Sequence, residues 1–102
     1  MNQQVMMRKL MKMKQEMEET QQEIFETEFT ASAGGIVEVV VMGTKELAEV
    51  KIDPDFEITS PDDLEMLQDS IVAACNQAYK DIDTTTEEKM KKYSALTSGF
   101  GF

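Results

Sequence analysis

The sequence predicts an α+β fold: a long helix, a three-stranded antiparallel meander and a second long helix, in that order. Three observations carry this reading. An apolar seam at helical spacing runs through the first 24 residues, a period-2 alternation divided by two glycine-bearing turns fills the middle, and a Ser-Pro-Asp-Asp helix start stands at Ser60.

The first helix, residues 1–24, is read from Met6, Leu10, Met13, Met17, Thr20 and Ile24, which recur at alternating spacings of four and three as in a heptad seam. Met7 and Met11 widen the apolar surface beyond that seam. Projected at 100° per residue, Arg8 and Lys12 point away from the seam, Lys9 lies beside it and Lys14 falls near Met7. The meander, residues 25–54, follows. Phe25, Thr27, Phe29 and Ala31 alternate with polar neighbours, Gly34 and Gly35 supply a hairpin, and Val37, Val39 and Val41 share one face of a central strand. After a turn at Gly43 to Lys45, Ala48, Val50 and Ile52 alternate until Pro54 removes a ladder donor.

The second helix is expected over residues 61–96, with Ser60 as cap, Pro61 in the first turn and Asp62 and Asp63 at the positive end of the dipole. Leu64, Leu67, Ile71, Ala74, Cys75, Ala78 and Ile82 form its buried stripe. Thr84 to Thr86 are weak helix formers and offer a break, but a continuous helix is the expectation. Residues 97–102, with two glycines, are read as a flexible tail.

The chain has 102 residues, one domain's worth, and a net charge of -10. That mean conceals a sorting. All 20 acidic residues lie between Glu16 and Glu88, where the only bases are Lys45, Lys51 and Lys80. The remaining bases are Arg8, Lys9, Lys12 and Lys14 at one end and Lys89, Lys91 and Lys92 at the other. Charges more than about 10 Å apart are largely screened in physiological salt, so a polyanion need only feel these ends.

Several chemistries find little support. There is no His to serve as base, and Cys75 sits on an apolar helix face where a small buried hydrophobe is expected. Asp53, Asp55, Asp62 and Asp63 lack the spacing of a calcium loop, and no phosphate-binding glycine motif occurs. No catalytic residue, metal site, cofactor or small-molecule substrate is therefore expected. The lone cysteine and the absence of a leader pattern or a run of about 20 apolar residues point to a cytoplasmic protein without a membrane span.

A helix of about 22 residues is roughly 33 Å long, whereas a six-residue strand covers only about 20 Å, so part of the first helix must overhang the sheet. An overhanging apolar stripe is most economically covered by a second copy, with Met6, Met7, Leu10, Met11, Met13 and Met17 as the expected dimer or partner contacts.

This order of elements, together with particular residues, resembles the YbaB/EbfC family of bacterial nucleoid-associated proteins. The residues are Gly35 to Gly43 (GIVEVVVMG), Val50 to Pro54 (VKIDP), Met66-Leu67 with Asp69, Val72 to Ala74, Asn76 and Ala78, then Lys89-Met90 and Ser98-Gly99. The resemblance covers nearly the whole chain. It implies a tweezer-like homodimer that binds double-stranded DNA with little sequence preference, acts at the nucleoid and has no enzymatic activity. Arg8, Lys9, Lys12, Lys14, Lys89, Lys91 and Lys92 are then the expected DNA contacts. The competing reading is an acidic protein-interaction module that uses the Met-rich first helix.

Overall fold

The computed structural model describes residues 2–94 and Leu96. Along the chain run α1 (Gln3–Glu26), β1 (Glu28–Ala33), β2 (Val37–Met42), β3 (Leu47–Ile52), α2 (Pro61–Met90) and a 3-10 turn, Lys91–Tyr93. The three strands form one antiparallel sheet in the order β1-β2-β3. The molecule measures 72 × 19 × 16 Å, because both helices continue well beyond the sheet. At 1.5 Å per residue the 24 residues of α1 and the 30 of α2 reach about 36 and 45 Å.

Local chemistry explains most boundaries. Asn2 caps α1, its side-chain oxygen accepting from the Val5 N–H at 2.9 Å. Phe25 and Glu26, expected in the first strand, complete α1 instead. The helix stops at Thr27, which takes an extended conformation while its N–H and hydroxyl donate to the carbonyls of Ile24 and Glu23. Gly34 (φ 64°) and Gly35 (φ 68°) both have left-handed backbone, and the Ile36 N–H donates to the Ala33 carbonyl. Positive φ at both central residues is the type I′ pattern, and with Ala33 paired to Val37 the connection comprises residues 34–36. Gly43 serves a different purpose: a Cβ there would overlap the Ile24 carbonyl, so only glycine lets the end of α1 close onto the sheet.

The third strand differs from its expected pattern at one residue. Ile52 pairs with Val37 and Val50 with Val39, but Leu47 pairs with Val41 and Glu49 with Val40, so Ala48 is the extra residue of a bulge. Leu47, not Ala48, joins Val50 and Ile52 on the apolar face.

At the start of α2 the Ser60 hydroxyl accepts from the Asp63 N–H at 3.3 Å. Asp63 reaches back to accept from the Thr59 N–H at 2.9 Å and the Thr59 hydroxyl at 2.8 Å. These bonds, the Thr59 N–H foremost, hold the Asp63 carboxyl below its ordinary value of 3.8. The helix then passes Thr84 without a break, the Thr86 hydroxyl being absorbed by the Ile82 carbonyl at 2.7 Å. It tightens to a 3-10 turn only after Met90. The expected tail over residues 97–102 lies outside the described residues.

α2 packs across β1 and β2. Leu67, Ala74, Ala78 and Ile82 meet Ala31, Val37, Val39 and Val41, with Phe29, Phe56, Ile71 and Tyr79 at the margin. Fully burying one such valine or isoleucine contributes about 1.5–3 kcal/mol. The small residues Ala74 and Ala78 are what let the helix lie close to the sheet. Ser70 is buried as well, facing Gly34 across the hairpin, a contact that the expected stripe omitted.

Candidate nucleic-acid interface

The helices leave the sheet together as one arm. α1 runs from the arm's tip inward and α2 runs outward along it, so the beginning of the chain and its C-terminal turn become neighbours. A second small core holds them: Met17, Tyr93 and Leu96 are buried together, with Leu10, Met13 and Met90 packed against them. The overhang expected from strand length thus exists, but α2 is long enough to cover part of it. Leu10 and Met13 are half-buried within their own chain and Met17 is fully so, while Met6, Met7 and Met11 stay exposed.

This small core brings the two basic ends of the sequence onto one structure. Arg8, Lys9, Lys12 and Lys14 flank the α1 residues of the core, and Lys89, Lys91 and Lys92 flank Met90 and Tyr93. All seven side chains are exposed. Lys14 lies 4.0 Å from Glu18 one turn on, and the Lys92 ammonium sits 5.1 Å from the centroid of the Tyr93 ring, within reach of a cation–π contact. Arg8, Lys9, Lys12, Lys89 and Lys91 form no ion pair among the described residues. Two of the three lysines of the body are used differently, Lys80 being exposed without an ion pair among the described residues. Lys45, itself at a positive φ of 74°, bridges to Asp83 on α2 at 2.8 Å, and Lys51 lies 3.7 Å from Glu38 and 3.4 Å from Glu49.

The helix dipoles separate the two basic sets. Lys89, in the last turn of α2, complements the negative end of its helix. The first turn of α1 carries no acid, and Arg8 and Lys9 follow it closely, so this helix begins with charge of the same sign as its dipole. The dipole's influence fades within the first turn, so Arg8 and Lys9, in the second, gain no stabilisation from it. Positive potential gathers at the arm's tip, where exposed cations stand near the positive end of the dipole. The arrangement can hold an extended polyanion by its charges. No cluster of three metal-ligating side chains is present among the described residues.

The YbaB/EbfC DNA-binding family model matches residues 1–97. The chain belongs to this family. It is a DNA-binding family and not an enzyme family, in agreement with a surface built of exposed cations. Among its relatives, a nucleoid-associated protein of Clostridium novyi is 50% identical over 95 residues, covering 92% of this chain and 79% of the relative. A nucleoid-associated protein of Clostridium acetobutylicum is 48% identical over 89 residues, covering 86% and 75%. A crystal structure of an uncharacterized protein from Helicobacter pylori has the same fold, with a TM-score of 0.66 and 26% identity over 86% of this chain and 91% of that one.

The expectation from sequence named the cations but not the contact that unites them. Tyr93 and Leu96 do this, and the only sequence signal for them was apolar residues continuing beyond the third lysine. No helix among the described residues is long and apolar enough to cross a membrane.

Proposed function

We propose that the protein is a nucleoid-associated protein that binds double-stranded DNA as a homodimer, with little sequence preference, through the arm tips. The observation that carries this reading is the meeting of two basic ends of an acidic chain on one arm. Acids coat the body and would repel a duplex. Arg8, Lys9, Lys12, Lys89 and Lys91, without an ion pair among the described residues, lie on the arm beside Lys92 on its aromatic ring, whereas the body offers only Lys80 in that state. Phosphate contacts are the chemistry on offer, because among the described residues the arm presents neither a recognition helix seated by a helix-turn-helix nor a stacking set of aromatic side chains. Nucleoid association also follows the names of the relatives above.

The second copy is supported by an uncovered surface. Leu47, Val50 and Ile52 lie on the face of the sheet that α2 covers over β1 and β2, yet α2 does not extend over β3, and these three side chains are 42%, 39% and 44% exposed. On α2 itself Leu64 and Val72 are 44% and 58% exposed. Contiguous apolar surface of this kind marks a protein contact. A two-fold related copy supplies the helix that β3 lacks and receives the same in return, the reciprocity of an isologous dimer. The arms then project from a shared body as a pair, each with seven end charges.

If a third to a half of those charges meet phosphates, about five to seven counterions are released and the logarithm of affinity falls with the logarithm of salt at a slope of about -5 to -6. The test is retention of random-sequence duplex by the protein and by a variant with Arg8, Lys12, Lys91 and Lys92 all changed to Glu. The wild type retains the duplex and the variant does not, with equal folded content by circular dichroism. Equal retention by both would contradict the assignment. Val50→Asp with Ile52→Asp yields a monomer by light scattering if the β3 surface is the dimer contact, and leaves a dimer if it is not.

A further inference from the structure

The cations account for attraction to phosphate, but they leave Met7 and Met11 unexplained. These side chains are 54% and 67% exposed, one turn apart on α1 and well away from the seam that packs on Tyr93 and Leu96. Helix propensity does not explain them, since Lys, Gln and Glu form helix about as well as Met and would be better solvated there. Their surroundings are specific. Met7 shares an open groove with Gln3, Gln4 and Arg8, and Met11 one with Arg8, Lys12, Lys14, Gln15 and Glu18. Apart from Glu18, which pairs with Lys14 on the body side, the polar groups framing the two methionines are cations and side-chain amides.

We infer that Met7 and Met11 form an apolar wedge that enters between base steps from the minor groove and kinks the bound duplex. This rests on the reading of the arm tip as a DNA contact and says how that contact deforms its ligand. Wedges of this kind are one or two unbranched or bulky apolar side chains, flanked by Arg, Lys, Asn or Gln that follow the groove. The size of the ridge favours this occupant. A helix docking into a protein groove presents anchors over at least two turns, and a helix lying on a membrane needs a wide apolar face. Here Met7 and Met11 span one turn, bounded by Gln3 and Gln4 on one side and Lys14 and Gln15 on the other, with Met6, 52% exposed, beside Met7 toward the seam. Side chains one turn apart stand roughly 5–6 Å from each other, about the opening that one or two unstacked base steps provide. Methionine suits the task because its long polarizable thioether adapts to the flat faces it meets.

The test uses full-length protein with a duplex that carries end-to-end fluorophores and a 2-aminopurine beside a central TA step. Binding of the wild type shortens the end-to-end distance by a bend of about 20–90° and raises the 2-aminopurine emission as the step unstacks. Met7→Ala with Met11→Ala abolishes both signals yet lowers affinity by less than about tenfold and keeps the salt slope, because phosphate contacts dominate affinity. Met7→Leu with Met11→Leu restores both signals. Binding of the wild type without bend or unstacking, or an Ala pair that bends DNA like the wild type, overturns the wedge while leaving DNA binding intact. Absence of duplex binding by the wild type overturns both. Vesicles of phosphatidylglycerol serve as the rival ligand, and methionine-dependent binding to them with no methionine-dependent change in the duplex likewise overturns the wedge.

Discussion

The cations at the start of α1 and those at the end of α2 occupy one arm, but they stand differently toward their own helices. Lys89, Lys91 and Lys92 meet a negative helix end and stabilise the structure that carries them. Arg8 and Lys9 lie in the second turn of a helix whose nearer end is positive, and gain nothing from it. The second set has a structural use and the first does not, so mutations should separate binding from stability differently at the two places.

The largest effect is expected at the start of α1. Arg8→Glu with Lys12→Glu reverses four charges per dimer and should lower duplex affinity at least about a hundredfold near 0.1 M salt. The thermal midpoint should hold, since both residues are exposed and lie beyond the first turn of α1. A fall in that midpoint would break the comparison. Changing Lys89, Lys91 and Lys92 to Gln should lower affinity less, about tenfold, and here stability falls too, by about 0.3–1 kcal/mol for each charge that served the dipole. Anisotropy titration and a melting curve on the same samples check both.

Substitutions in the body should show the opposite pattern, stability without affinity. Gly34→Ala forces a side chain into left-handed backbone and against the Ser70 hydroxyl, at a cost of about 1–3 kcal/mol in denaturant unfolding. Duplex affinity measured well below the melting point should not change. The smallest effect is at Asp63. Its pKa is depressed in the folded chain, so its contribution is present above the ordinary value of 3.8 and is lost as pH falls through the lower folded value. Asp63→Asn should therefore flatten the acid side of the stability profile and leave neutral-pH binding untouched.

Much of this was legible in the sequence for identifiable reasons. The Ser60-Pro61-Asp62-Asp63 start and the Gly34-Gly35 turn are local signals, fixed by capping and by positive φ, and they fall where the sequence places them. The end of α1 was less legible because Phe25 and Thr27 fit a strand's alternation as well as a helix's last turn; the two backbone carbonyls that receive Thr27 decide it. The bulge at Ala48 leaves no mark in a pattern that shows Ala48, Val50 and Ile52 alternating correctly. At the arm, each basic cluster could be read directly, but their meeting depends on Met17, Tyr93 and Leu96, residues far apart in the chain whose contact no spacing rule specifies.

The central claim is that an acidic protein grips DNA with the paired tips of two basic arms. The most direct measurement is a titration of labelled duplex at several salt concentrations, with the mass of the free protein determined by light scattering. The account predicts a two-chain mass and a log–log salt slope of about -5 to -6. A single-chain mass, or no binding even at about 50 mM salt where phosphate contacts are strongest, would contradict it.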